Sequence, residues 1–172
     1  AVSTRDLDVA LDLRAPAIYR RFRSKNELLA RCVDHDVETV SGTRVRGFVE
    51  GADDPLRGLH DFFTSTLKPY GRKPRVRGCL LANTAAHADG QVPEVRDAIF
   101  RGWRLIDSAF QQQIERAQRV GQVDPDLDPE ALSQALVMSL EGLLTLVRAG
   151  DTDLRPGIDM TFRLLARGRD NG

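Results

Sequence analysis

Apolar residues recur at intervals of three and four along most of this chain, the period of helices that bury one face. The clearest stretch is Val92, Val95, Ile99, Trp103, Ile106, Phe110, Ile114 and Ala117, which predicts one long amphipathic helix ended by Gly121. Asp128-Pro129-Glu130 starts another: an N-cap residue, a proline at the first helical position and an acid near the positive end of the dipole. Its apolar face carries Leu132, Leu136, Leu140, Leu143 and Val147, is widened by Ala135, Met138 and Leu144, and closes at Gly150. A last helix is predicted near 156–167, with Ile158, Phe162 and Leu165 on one side. Upstream, Ser24 and Glu27 form a capping box that opens a long helix. Leu28, Leu29, Cys32, Val33, Val37 and Val40 mark its apolar side, and Gly42 and Gly47 weaken its far end. Gly51 to Pro55 is a break, followed by a helix with Leu56, Leu59, Phe62, Phe63 and Leu67 that stops at Pro69. Residues 70–77 read as a basic loop, and 78–87 as a short, mostly apolar helix. Strand alternation is nearly absent, so the predicted fold is all-α: two or three short N-terminal helices with five or six longer ones behind.

Composition narrows what such a fold can do. With 172 residues and 41% hydrophobic content, the chain suffices for one ordinary domain. Its formal net charge of zero excludes a generally basic nucleic-acid coat, so any nucleic-acid contact must come from a local patch. No uninterrupted apolar run approaches the roughly 18 residues of a membrane span, no signal-peptide pattern is seen at the start, and a cytoplasmic protein is expected from its cysteine usage. Cys32 and Cys79 are too few for a disulfide scaffold and are expected to be reduced and buried. His35, His60 and His87 do not stand at metal-ligand spacing. No phosphate-binding glycine loop or nucleophile–base arrangement is present, so neither enzyme activity, metal nor cofactor is expected.

The local patch exists. Between Arg14 and Lys25 stand Arg14, Arg20, Arg21, Arg23 and Lys25 and no acid. The stretch RAPAIYRRFRSK also contains a short predicted helix, about 15–22, joined by a tight turn to an earlier one around Leu7 and Leu11. Two short helices with a tight turn, the second rich in arginine, match a helix-turn-helix, whose second helix enters the DNA major groove. Ala15 and Ala17 are small enough for the backbone to approach the bases and can pack on a thymine methyl. Ile18 and Phe22, four apart, face inward, and Tyr19 is free to reach a phosphate.

At these residues the chain resembles the TetR family of bacterial transcriptional repressors. The match comprises Ser3-Thr4-Arg5-Asp6-Leu7, Leu11, Leu13, Pro16-Ala17-Ile18-Tyr19, Phe22, Ser24-Lys25 and Glu27-Leu28-Leu29. Gly78-Cys79-Leu80-Leu81-Ala82-Asn83 is similar to a stretch found in many members. The resemblance implies that Thr4 contacts phosphate, that Arg14, Ala15, Pro16 and Ala17 face bases, and that Tyr19, Arg20 and Lys25 hold the backbone. It implies a partial DNA-binding domain over 1–30, whose usual first helix has no counterpart here, a connecting helix over 31–50, and a helical ligand-binding and dimerisation domain over 51–172. Asp8 stands where the family has a small packed residue and is expected to face solvent or pair with Arg5. Asp12 replaces a turn glycine, and aspartate tolerates positive φ better than most residues.

The implied partners are a palindromic double-stranded operator, a second copy docked through the last two helices, and a small molecule that releases the DNA. Candidate ligand-lining residues are Phe62, Phe63, Cys79, Asn83, His87, Trp103, Phe110 and Met138. The competing reading is a helical dimer that binds a ligand or protein but has lost DNA binding.

Overall fold

The structure is a computed structural model and describes residues 20–67, 79–86, 92–150 and 153–166. Every regular element among the described residues is helical. The first, α1 (Lys25–Asp36), is capped by Ser24, whose Oγ accepts the Glu27 N–H at 3.1 Å. Glu27 reaches back to accept the Arg23 N–H at 2.8 Å, one residue before the N-cap.

The helical path does not stop at Gly42. It runs on through a π-helical segment, Val37–Ser41, a single α-turn, Gly42–Arg44, and a second π-helical segment, Val45–Glu50. The cause lies in the apolar spacing. Val33, Val37, Ser41, Val45 and Val49 are all buried and lie four residues apart. An α-helix overshoots one turn by about 40° over four residues, so Val49 would end roughly 160° away from Val33. The wider π turn, roughly 4.4 residues with i→i+5 bonds, undershoots and keeps the stripe on the core. Cys32 and Val40 fall off this stripe. Cys32 is exposed and Cys79 half-buried, which corrects the expectation that both cysteines are buried, and Val40 is 40% exposed.

Asp54 caps α2 (Pro55–Ser65), accepting the Arg57 N–H at 2.9 Å. The short α3 (Leu80–Ala85) is followed by α4 (Pro93–Arg119), the central helix of the body. Gly102 lets α3 and the π segment close on α4. A Cβ there would meet Leu81 Cδ1 and Val37 Cγ2, each at 2.8 Å. Arg101 of α4 grips Asp34 of α1, with Nη2 at 2.9 Å from both carboxylate oxygens. Arg116, near the other end, donates to the carbonyls of Ala52 (2.6 Å) and Asp53 (2.8 Å), pinning the turn before α2. At the end of α4, Gly121 adopts φ +76°, and the Gln122 N–H closes on the Ala117 carbonyl at 2.8 Å.

Asp128 caps α5 (Pro129–Ala149), and Gly150 ends it at φ +105°. Ser133, Leu136, Leu140, Leu143, Leu144 and Val147 are its buried residues. Ala135 and Met138 were expected to widen this face, but both are exposed. At 100° per residue, position 138 turns about 200° away from Leu136. By length and composition alone α5 is long and apolar enough to cross a membrane, although Glu130, Glu141 and Arg148 interrupt its apolar residues. Its inner face is packed in the core. The last helix, α6 (Arg155–Leu165), docks on α2 through Ile158 and Phe162. There His60 Nε2 lies 2.7 Å from Asp159 Oδ1, and the His60 and Phe162 rings meet edge to face at 5.4 Å.

Candidate functional site

Seven of the nine residues that line one small inner cavity come from the connecting helix, α2, α4 and α5. Its volume is about 10 Å³, room for roughly one water. Ser41 and Arg44 arrive on the connecting helix, Phe62 on α2, Trp103 and Ile106 on α4, and Leu140 and Leu144 on α5. Thr66, just past α2, and Cys79, just before α3, complete the wall.

One end of this cavity is polar and one apolar. The Arg44 guanidinium stands 4.9 Å from the Phe62 ring centroid and donates from Nη2 to Ser65 Oγ and to the Phe62 carbonyl. Burial lowers its pKa, opposed by the negative charge of Asp36. The Ser41 hydroxyl donates to Asp36 Oδ2 at 3.5 Å and lies 4.0 Å from Cys79 Sγ. Burial pushes the Cys79 thiol up, so it stays protonated and unreactive near neutral pH. Burial likewise raises the Asp36 carboxyl, against the opposing pull of the Ser41 hydrogen bond. The apolar part of the lining is Ile106, Leu140, Leu144 and the Trp103 indole.

Of the residues singled out in the sequence, Phe62, Cys79 and Trp103 meet at this cavity. Phe63 and Phe110 stand behind it in an aromatic cluster. Phe110 meets Phe62 at 5.4 Å and Phe63 at 5.9 Å, and Phe63 meets Phe162 at 5.3 Å. Asn83 accepts a hydrogen bond from Arg148 Nη1 at 3.0 Å. Met138 is 69% exposed and lies outside the cavity, in a surface groove between α4 and α5 that it shares with Trp103. His87 lies outside the described residues. Sequence reasoning missed Ser41, Arg44 and Thr66. The signal for the first two was present: Ser41 and Arg44 follow Val37 by four and seven residues, the spacing of its own buried face.

The basic stretch is described only at its end. Arg20, Arg21, Arg23 and Lys25 are exposed there and Phe22 is half-buried. Thr4, Arg14, Ala15, Pro16, Ala17 and Tyr19 lie outside the described residues, as do Asp8 and Asp12.

The comparisons with known proteins agree on one family. The profile of the family described as "Tetracyclin repressor-like, C-terminal domain" matches residues 55–156, more than half of the chain. The HTH-type transcriptional repressor DhaR of Mycobacterium sp. (strain GP1) is 21% identical over 142 residues, covering 83% of this chain and 70% of that protein. The regulatory protein TetR from Rhodobacter sphaeroides superposes with a TM-score of 0.84 at 22% identity, over 96% of this chain and 88% of that one. A cysteine mutant of the TetR family transcriptional regulator CifR, complexed with 26-bp double-strand operator DNA, gives a TM-score of 0.82 at 23% identity. That match covers 95% of this chain and 86% of that one. With an all-α body, a helix linking the basic end to an internal cavity, and a family profile over most of that body, this chain belongs to the TetR family of transcriptional regulators.

Proposed function

We propose that this regulator is a repressor that binds a palindromic operator as a homodimer and is released by a small molecule held in its helical body. In this reading residues 1–30 form the DNA-binding domain, 31–50 the connecting helix and 51–172 the ligand-binding and dimerisation domain, all acting in the cytoplasm. Thr4, Arg14, Ala15, Pro16, Ala17, Tyr19, Arg20 and Lys25 are the DNA-contacting set. The DhaR name and the operator complex of CifR support the repressor and operator parts by analogy.

One observation carries the coupling. Ser41 and Arg44, which line the inner cavity, stand on the same helical run that begins at Lys25 beside the basic stretch. A ligand that displaces Arg44 must strain or tilt that run. The π segments on either side of Gly42–Arg44 are the places where its hydrogen-bond register can change at least cost. Tilting the run changes the spacing of two reading heads, which must sit about one DNA turn apart, roughly 34–36 Å. Operator affinity then falls by the difference in ligand affinity between the two states.

The dimer reading is supported by the outward faces of α5 and α6. Met138, Leu146, Met160 and Leu164 are 69, 47, 50 and 78% exposed, and Ala131, Ala135, Gly142 and Ala149 add little but small surface between them. Between the two helices runs a groove of about 310 Å³ with Gly142, Leu146, Gly157 and Thr161 in its wall, suited to a neighbour's side chains. Selection of the full-length protein against a random duplex pool tests the whole. The expected outcome is enrichment of a palindrome with half-sites about one turn apart. Folded, dimeric protein that enriches nothing would leave the ligand-binding dimer as the surviving reading.

A further inference from the structure

Trp103 is the residue common to the walls of two neighbouring spaces. Inside lies the small polar-ended cavity of about 10 Å³. Outside lies the α4–α5 groove of about 250 Å³, where Phe100, Val137 and Met138 join Trp103, with Arg104 and Asp107 among its polar residues. The inner space is too small for any organic ligand. The outer one approaches the lower end of small-molecule pockets, roughly 300 Å³. The half-buried Trp103 side chain is thus a shared wall of both.

We propose that these are two chambers of one small-molecule site, that Trp103 is the gate between them, and that the ligand is a flat apolar molecule carrying a carboxylate or carbonyl at its inner end. The proposal rests on the ligand-binding body inferred above. The apolar body follows from Phe62, Ile106, Leu140 and Leu144 behind the gate and Phe100 and Val137 before it. The acceptor head follows from the chemistry of the inner end. A guanidinium has donors and no acceptor, and the Cys79 thiol is protonated. The remaining polar groups are two hydroxyls: Ser41, whose 3.5 Å bond to Asp36 Oδ2 is long enough to give up for an incoming acceptor, and Thr66, which is held by the Phe63 carbonyl at 2.7 Å. Orientation follows from the contrast between the two ends. The groove holds both the exposed Arg104 and the Asp107 carboxylate, which the buried Ser133 hydroxyl fixes at 2.7 Å, whereas the inner guanidinium of Arg44 is fixed in place by Ser65 Oγ and the Phe62 carbonyl and so is the preorganised donor for an acceptor head. Swinging the indole joins the chambers and carries the head to Arg44 on the connecting helix.

The chain has a single tryptophan, so its emission reports on the gate alone. The probes are naphthalene-2-carboxylate and its cationic counterpart naphthalen-2-ylmethylammonium, titrated into the full-length dimer by calorimetry with tryptophan emission in parallel. The carboxylate is expected to bind once per chain, to change Trp103 emission with the same midpoint, and to bind at least tenfold tighter than the ammonium. Trp103→Ala should raise the association rate at least fivefold, followed by the probe's own fluorescence. Arg44→Met should remove the preference for the carboxylate. Because Arg44→Met can misfold, Val137→Trp, which fills the groove from a half-exposed position, should abolish probe binding while helicity is kept. Four outcomes would overturn the proposal: no saturable binding to folded protein, saturation without any change in Trp103 emission, equal or tighter binding of the ammonium, or a Val137→Trp chain that alters only the monomer–dimer balance. Operator binding is measured on the same samples. Operator binding without probe binding sinks the gate alone, whereas probe binding as expected without operator binding sinks the repressor reading and leaves the site standing.

Discussion

Replacing Gly102 by alanine sets two opposed effects against each other at one position. In the interior of α4 the change should help, since alanine exceeds glycine in helix propensity by about 1 kcal/mol. The surroundings oppose it. The new methyl would lie 2.8 Å from Leu81 Cδ1, 2.8 Å from Val37 Cγ2 and 2.9 Å from Leu81 Cδ2, all inside van der Waals contact. Leu81 is 0% exposed and Val37 6%, and Val37 is stiff at χ1, so neither can turn away into solvent. Overpacking of this kind costs about 1–3 kcal/mol. With three close contacts the upper half of that range applies, and the net effect is a loss of about 1–2 kcal/mol. Gly47→Ala is the matched control: nothing lies within 4 Å of its added methyl, so it should stabilise by about 0.5–1 kcal/mol. Urea unfolding followed by helical circular dichroism, at one fixed chain concentration because a dimer's stability depends on it, compares the two. A Gly102→Ala chain as stable as Gly47→Ala would refute the close packing of α3 and the connecting helix on α4.

Three other substitutions have expected outcomes. Glu141 has its Oε2 buried without a hydrogen-bond partner, and burial raises its carboxyl pKa against the attraction of Arg148. The folded state therefore binds this proton more tightly than the unfolded state, and stability falls as pH rises from the ordinary carboxylate range through the raised value. Glu141→Gln should leave stability unchanged where the carboxyl is protonated and raise it at pH 7; a loss at pH 7 by chemical unfolding would contradict this. Arg116→Ala removes two charge-assisted bonds to the carbonyls of Ala52 and Asp53. It should cost about 2 kcal/mol, with faster hydrogen exchange at the start of α2; protection equal to the parent would show that the turn holds without it. Leu164→Glu places a charge at a position 78% exposed on the proposed dimer surface. Sedimentation should show monomers of unchanged helicity, and an intact dimer would move the interface elsewhere.

How far the sequence spoke differs from helix to helix. In α4 the three-four stripe is legible because its spacing is that of an α-helix, and Val95, Ile99, Ile106, Phe110, Ile114 and Ala117 are all buried. Ala98, Gly102, Ala109 and Gln113 are buried beside them and carry no hydropathy signal strong enough to read. The connecting helix was misread because its stripe advances four residues at a time. Assuming an α period put Cys32 and Val40 in the core, and attention to apolar residues alone passed over the polar Ser41 and Arg44, the two residues through which the cavity touches that helix. In α5 the outward face is nearly as apolar as the inward one, so composition could not tell core from surface, and Met138 was assigned to the wrong side. The aromatic positions Phe62 and Trp103 were legible as pocket candidates, but that Trp103 serves two spaces depends on where α5 crosses α4, which no local pattern encodes.

The most direct measurement uses the duplex enriched from the random pool. Chains bound per duplex are counted, and affinity is followed against salt for the parent and for Lys25→Ala. The account predicts two chains on each palindrome, affinity falling steeply and linearly in log salt, and a slope reduced by about one for each lysine lost. A single chain per duplex, or a slope indifferent to Lys25, would contradict a dimer that holds its operator through the basic end of the connecting helix.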